Sequence, residues 1–251
     1  MALAAGSTLG PFRIIELLGK GGMASVYKAF QARLDRHVAL KVLPREFLHD
    51  DSFAKRFERE ARIVAKLEHP HIVPIYDYGI DGGIPWMAMR MLPVGSLADL
   101  LKKGRLDRVR VVAILRQVAE ALDHAHANGV IHRDVKPSNV LLDNKGRVYV
   151  GDFGLAHLAE ASIVLTRTGM LAGTPQYMAP EQAGAMNVDR RADIYALGIV
   201  AYETLTGAVP FTGDTPIGVL MKHANEQKRV AWASGCQTGG TNSAYRLQPG
   251  G

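Results

Sequence analysis

The stretch His132-Arg133-Asp134-Val135-Lys136-Pro137-Ser138-Asn139, followed by Asp152-Phe153-Gly154, decides how the rest of the chain is read. Asp134 supplies a base and Lys136 a cation, while Asn139 and Asp152 carry oxygen donors of the kind that hold hard metal ions. Transfer of a phosphoryl group to a hydroxyl needs such a set. A carboxylate orients the attacking oxygen, a cation offsets charge on the moving group, and oxygen ligands hold Mg²⁺. Asp152 follows Asp134 by 18 residues, and the interval holds an apolar run, Val140-Leu141-Leu142, and a turn, Asp143-Asn144-Lys145-Gly146. One such string arises by chance. Two in this order around a hairpin are hard to obtain otherwise.

Upstream, Phe12 to Leu18 and Ser25 to Ala29 read as strands around the turn Gly19-Lys20-Gly21-Gly22-Met23-Ala24. Glycines there let backbone N–H groups close over phosphates with no Cβ in the way. A plain hairpin is the ordinary alternative. A dinucleotide fingerprint is excluded, because a strand rather than a helix follows the turn. Val38-Ala39-Leu40-Lys41 has the pattern of a buried strand ending in a charge. From Asp51 to Glu68, Phe53, Phe57, Ala61, Val64 and Leu67 recur at helical spacing and define one face. Glu60 lies with that stripe and Glu58 lies off it, so Glu60 wants a buried cation, for which Lys41 is the candidate. His69-Pro70-His71 ends the helix, and with no further ligand nearby it reads as structure rather than a metal site. Ile72 to Tyr78 and Ile84 to Met91 read as strands around Asp81-Gly82-Gly83.

Downstream, Arg108 to Asn128 is a long helix with Val111, Leu115, Val118, Leu122 and Ala125 on one face and Gly129 as its stop. His124 and His126 are read most simply as helix-surface or C-terminal residues favourable to the helix dipole. Leu155 to Tyr177 lacks periodicity but carries Ser162, Thr166, Thr168 and Thr174, and the simplest reading is a flexible loop. Asp189 to Thr206 is a second buried helix, with Ile194, Leu197, Ile199, Val200, Tyr202 and Leu205 as its apolar set and Asp193 inside it needing donors.

Composition sets outer bounds. A chain of 251 residues, 47% hydrophobic and 22% charged, has length for one large domain or two small lobes. The single Cys236 excludes an intramolecular disulfide and fits a reducing compartment. Met1 to Gly10 has no basic n-region, and no run reaches the ~18 apolar residues of a membrane span. The net charge of +6 invites a nucleic-acid reading, but the densest basic group, Lys102, Lys103, Arg105, Arg108 and Arg110, has no interleaved aromatics. A solvated helix start or a surface for an acidic partner accounts for it better.

Residues from about Gly10 to His223 resemble a bacterial, eukaryotic-like (Hanks-type) serine/threonine protein kinase. The resemblance rests on the ordered set of glycine turn, Lys41, Glu60, the Asp134 loop, Asp152, Ala179-Pro180-Glu181 and Asp193. It implies an α+β, two-lobed fold: a small β-rich N-lobe with one key helix over 10–91, and a larger, mainly helical C-lobe over 92–223. It further implies cytoplasmic phosphoryl transfer from ATP, with Mg²⁺ or Mn²⁺, to protein Ser/Thr hydroxyls. Lys136 in its loop looks like serine/threonine rather than tyrosine specificity. By the same resemblance Asp134, Lys136, Lys41 and Glu60 are the catalytic set, with Lys41 anchored by Glu60. Gly19, Lys20, Gly21, Gly22, Val26, Ala39, Lys41, Met89, Met91 and Leu141 would line the nucleotide site. Met89 would limit the pocket behind it, the backbone of Met89 to Gly95 would meet adenine, and Asn139 and Asp152 would hold metal. Arg90 stands where such families often carry Glu. Thr166 and Thr168 would be phosphosites on an activation segment closing at Glu181, placed by kinase–kinase contact, with Arg133 as partner of the phosphate. Thr174 would contact Asp134 and Lys136, and Asp193 would hold the backbone of the His132-Arg133-Asp134 segment.

The end of the chain departs from the pattern. From about Ala224 the sequence is rich in Gly, Ser, Thr and Gln and reads as a disordered tail over 224–251. The last C-lobe helices are then missing, and Glu181 lacks the Arg that the family supplies from them. The expectation is a truncated or frame-shifted chain of low stability. Two further function classes follow: a catalytically defective fragment that binds ATP or protein, and a small-molecule kinase of similar fold. The Ala179-Pro180-Glu181 segment argues against the second.

Overall fold

In the computed structural model the described residues are 3–21, 24–49, 51–153, 174–183 and 188–226, with Leu48, His49, Asp51 and Ala183 described by backbone alone. Gly22, Gly154, Thr166, Thr168, Arg229, Arg246 and the tail from 227 lie outside them.

The first lobe is built on an antiparallel sheet. Its strands are β1 (Thr8–Leu9), β2 (Phe12–Lys20), β3 (Ser25–Gln31), β4 (Arg36–Val42), β5 (Ile75–Asp81) and β6 (Ile84–Arg90), in the order β1-β2-β3-β4-β6-β5. Side chains alternate across a strand, so each of the two central strands serves two layers. Val38, Leu40 and Val42 of β4 pack with Trp86 and Ala88 of β6, Phe12 and Tyr27 on one face. Ala39 of β4 and Met87 and Met89 of β6 face the other way, toward Phe53, Phe57 and Ala61. Lys41 shares the parity of Ala39 and so is carried to that second face.

Those three apolar residues belong to α1 (Asp51–Ala65), and each is fully buried. Their spacing of four is the reason the helix turns that face to the sheet. The following strand is shorter than its apolar run implies. Pro74 has no N–H for a ladder, so β5 starts at Ile75, and Ile72 instead bridges to Val150 in the second lobe.

The second lobe contains α2 (Leu97–Leu101), α3 (Arg108–Ala127), the hairpin β7 (Val140–Leu142) with β8 (Val148–Val150), α4 (Pro180–Ala183), α5 (Arg191–Thr206) and α6 (Pro216–Asn225). Asp107 caps α3 by accepting from the Arg110 N–H at 2.9 Å, and Gly129 ends it at a φ of 74°. Ser96 and Asp99 form a reciprocal capping box on α2. The hydrogen bonds from Ser96 and then Lys102 draw the Asp99 carboxyl down to about 2. The core joins Ile114, Val118 and Leu122 of α3 to Ala196 and Val200 of α5 and to both hairpin strands. Two residues of the expected α5 stripe lie outside it, Ile194 at 59% exposure and Leu205 at 45%. Periodicity assigns them an apolar neighbour; among the described residues nothing covers them. No helix among the described residues is long and apolar enough to cross a membrane.

Candidate active site

The site is organised from a buried carboxylate. Asp193 sits in the first turn of α5 with 1% of its side chain exposed. Its Oδ2 accepts from the His132 N–H at 2.8 Å and from His126 Nε2 at 2.7 Å, and its Oδ1 accepts from the Arg133 N–H at 2.7 Å. Burial pushes this carboxyl upward, but the His126 hydrogen bond and the His132 and Arg133 N–H groups hold it below the usual range. His126 is therefore a buried partner and not the surface residue expected. It follows buried Leu122 by four residues, the spacing that could have placed it at the edge of the α3 stripe.

The three anchored bonds fix a strained loop. Arg133 has a φ of 66° and Asp152 a φ of 64°, both in the left-handed region that costs a non-glycine residue of order 1–3 kcal/mol. Between them lies His132, which is fully buried. Its Nε2–H donates to the Gly151 carbonyl at 2.8 Å, and its Nδ1 accepts from the Asp134 N–H at 3.2 Å. Those two bonds require the neutral ring with the proton on Nε2. One imidazole thus ties the Asp134 loop to the residue before Asp152, and Phe153 packs on it with ring centroids 4.5 Å apart.

Asp134 Oδ2 receives the Lys136 ammonium at 2.8 Å and Asn139 Nδ2 at 3.0 Å. The same Asn139 Nδ2 also donates to the Asp134 carbonyl at 2.8 Å, which leaves its Oδ1 as the amide's acceptor atom. Lys136 donates in addition to Thr174 Oγ1 at 3.2 Å. Asp134, Lys136, Asn139 and Thr174 therefore form one connected cluster.

Facing them from the first lobe, Lys41 Nζ lies 2.9 Å from Asp152 Oδ1. Burial raises the Asp152 carboxyl, but Lys41 above all brings it below its ordinary value, so it is an anion. Glu60 does not join this pair. The exposed Arg59 lies 3.9 Å from its carboxylate, and 21% of the Glu60 side chain is exposed. The expected Lys41–Glu60 bridge is thus replaced by Lys41–Asp152. The helical stripe fixes how α1 is rotated about its axis, but not how far the helix advances toward the lysine.

Ala39 and Met89 are register partners on neighbouring strands, and Val26 pairs with Lys41 and with Gly19. Lys20 and Gly21 stand at the exposed turn, where the Gly21 N–H donates to the Ala24 carbonyl at 2.8 Å. Leu141 lies in β7 opposite Tyr149, and its neighbour Leu142 donates to the carbonyl of Gly95, a glycine at φ 96°. Met91 is half-buried just past the end of β6. Behind Met89, a small recess is lined by Val64, Ile75, Met87 and Phe153. His69 and His71 join no metal cluster among the described residues. His69 stacks on His124 at 5.0 Å, and His71 Nδ1 meets the Val148 carbonyl at 2.9 Å.

The two-lobed fold carries the Lys41–Asp152 pair and the Asp134 cluster where its lobes meet. The profile of the protein kinase domain matches residues 12–244, and the chain belongs to that family. It is 47% identical over 219 residues to the serine/threonine-protein kinase PknD of Mycobacterium tuberculosis, covering 87% of this chain and 33% of that protein. It is 40% identical over 215 residues to the serine/threonine-protein kinase PrkC of Bacillus subtilis, covering 85% and 33%. The crystal structure of the Mycobacterium tuberculosis PknI kinase domain superimposes with a TM-score of 0.70 at 35% identity, over 85% of this chain and 81% of that one. The chain spans about a third of the length of the curated relatives it matches.

Proposed function

We propose that this chain catalyses transfer of the terminal phosphoryl group of ATP to serine and threonine hydroxyls of proteins. The observation that carries the reading is the Lys41–Asp152 ion pair, which joins the first lobe to the segment that His132 ties to the Asp134–Lys136–Thr174 cluster. Asp134 has Oδ2 occupied by Lys136 and Asn139, so Oδ1 is the atom left to take the proton of an incoming hydroxyl. Lys136, held between Asp134 and Thr174, places its charge where the moving phosphoryl group needs it. The glycine turn and Lys41 bind the phosphates, and the backbone of Met89 to Gly95 meets the adenine, with Val26, Ala39, Met91 and Leu141 as apolar walls.

The donor set fits a hard divalent ion: Asp152 is anionic, and the Asn139 amide has its oxygen turned away from Asp134. Asn139 and Asp152 would hold Mg²⁺ or Mn²⁺, which neutralises charge between the outer phosphates when bound. We take 10–91 and 92–223 as the two lobes, the cytoplasm as the compartment, and Thr166 and Thr168 as sites of autophosphorylation between two copies. Conversion of both threonines to alanine is expected to lower activity, since a phosphate there would order the loop through charge-assisted hydrogen bonds; unchanged activity would remove that part of the reading.

The test of acceptor class is to incubate the purified chain with ATP, Mg²⁺ and a mixed protein substrate, then identify the modified residues by mass spectrometry. Phosphoserine and phosphothreonine without phosphotyrosine are expected. Phosphate appearing only on free metabolites would replace this reading with a small-molecule kinase.

A further inference from the structure

Arg90 is the last residue of β6, at the point where the chain leaves the first lobe. Its backbone is already secured there. The N–H donates to the Pro74 carbonyl at 3.0 Å, and the residue pairs with Val38 of β4. The side chain is exposed and has no carboxylate partner among the described residues. Its guanidinium carbon nevertheless lies 5.6 Å from the centre of the Tyr149 ring, within the distance at which a cation is attracted to an aromatic face.

Tyr149 is poor at yielding. It is 3% exposed and packs in the cluster that contains Met87 and Met89. Its hydroxyl donates to Asp143 Oδ2 at 3.4 Å, and the same carboxylate oxygen takes the Arg147 Nε at 2.7 Å. Arg147 in turn lies 5.9 Å from the Tyr149 ring. The hairpin turn therefore ties the ring through Asp143 and Arg147, while Arg90 reaches it from the end of β6. Asp152 follows Tyr149 by three residues, two past the end of β8. A contact from Arg90 to Tyr149 thus joins the end of β6 to the segment that leads to Asp152, the proposed metal ligand.

Arg90 touches neither Asp134 nor Lys136, so it has no direct part in the chemical step. We propose that Arg90 is a positioning residue, which fixes the approach of the two lobes through the Tyr149 ring and thereby sets nucleotide affinity. The proposal rests on the protein-kinase reading of the cleft. It assigns to this side chain a role in ground-state binding, which should change KM for ATP and leave kcat nearly unaltered.

The experiment measures the Kd for Mg-ATP by titration and KM and kcat for transfer, on the full chain and five variants. Arg90→Ala is expected to raise Kd and KM about three- to ten-fold with kcat within about two-fold, the size of a partly exposed cation–aromatic contact. Arg90→Lys keeps a cation but loses the planar group and should recover part of the affinity. Tyr149→Phe keeps the ring and should bind ATP as the parent does. In a Tyr149→Leu background Arg90→Ala should have no further effect; if that background is insoluble, the first three variants decide. Wild-type Kd in Arg90→Ala, or a fall in melting temperature with affinity intact, overturns the proposal. A parent chain that binds ATP without transferring phosphate would instead overturn the proposed function, with the Arg90 claim still read from Kd. A parent that binds no ATP would overturn both.

Discussion

Replacing Asp193 by asparagine keeps the shape of the side chain and reverses what one of its atoms can do. Three donors converge on the carboxylate, from His132, Arg133 and His126, all at 2.7–2.8 Å. Asparagine offers one acceptor oxygen, and its NH₂ must then face at least one N–H. A buried donor left unpaired costs about 1–3 kcal/mol, and the remaining donors lose hydrogen bonds to an anion worth about 1.5–3 kcal/mol each. We take ~3–5 kcal/mol as the loss, out of the roughly 5–15 kcal/mol that holds a typical domain. At about 2–4 °C per kcal/mol for a chain of this length, the melting point should fall by roughly 6–20 °C. The same bonds hold Arg133 at its positive φ, so Asp134 should lose its placement as well. Activity measured well below the variant's own midpoint should drop by at least about ten-fold in kcat. Thermal unfolding followed by circular dichroism gives the first quantity and single-substrate kinetics the second. A variant melting within 2 °C of the parent (below about 1 kcal/mol), with kcat preserved, would refute the claim that this carboxylate supports the loop.

Two other consequences are independent of that one. Lys41→Met leaves the Asp152 carboxylate without its cation. It should lower kcat/KM by about 10²–10³ while the far-ultraviolet spectrum is retained, since removing one preorganised charge from a site of this kind has that effect; a loss under ten-fold would count against a role for Lys41. His223 is 6% exposed, and Tyr195 OH lies 2.7 Å from its Nδ1, while Nε2 has no hydrogen-bond partner among the described residues. Burial pushes its pKa below the ordinary histidine value. Between the two values the unfolded chain binds more protons than the folded one, so stability should fall as pH drops from about 6.5 toward the lower folded value. A melting-point series from pH 7.5 to 5 on the parent and His223→Asn should show a flatter slope in the variant; parallel slopes would assign the acid limb elsewhere.

The legible parts of the chain were those fixed by local period or by a dense motif. Val38-Ala39-Leu40-Lys41 reads as a buried strand ending in a charge, and β4 carries it with Val38 and Leu40 in one layer and Ala39 in the other. The 18-residue interval from Asp134 to Asp152 holds a hairpin because its apolar runs flank a turn that Asp143 closes on Arg147. Long-range pairing was harder to read. His126 has no nearby sequence partner, and its 2.7 Å contact joins residues 67 apart in the chain. The Glu60 stripe gave the side chain's direction but not its distance to Lys41, which took Asp152 instead. Ile194 and Leu205 show a further limit: a period reports which face is apolar, not which neighbour is there to bury it.

The most direct measurement is autophosphorylation of the purified chain with γ-labelled ATP and Mg²⁺, beside Asp134→Asn. The substituted amide keeps the shape of the side chain but cannot take a proton from a hydroxyl. The account predicts label on serine or threonine of the parent and a loss of at least about 10²-fold in the variant. Equal labelling of the two would contradict the assignment of Asp134 as the proton acceptor, and with it the reading of the whole cleft.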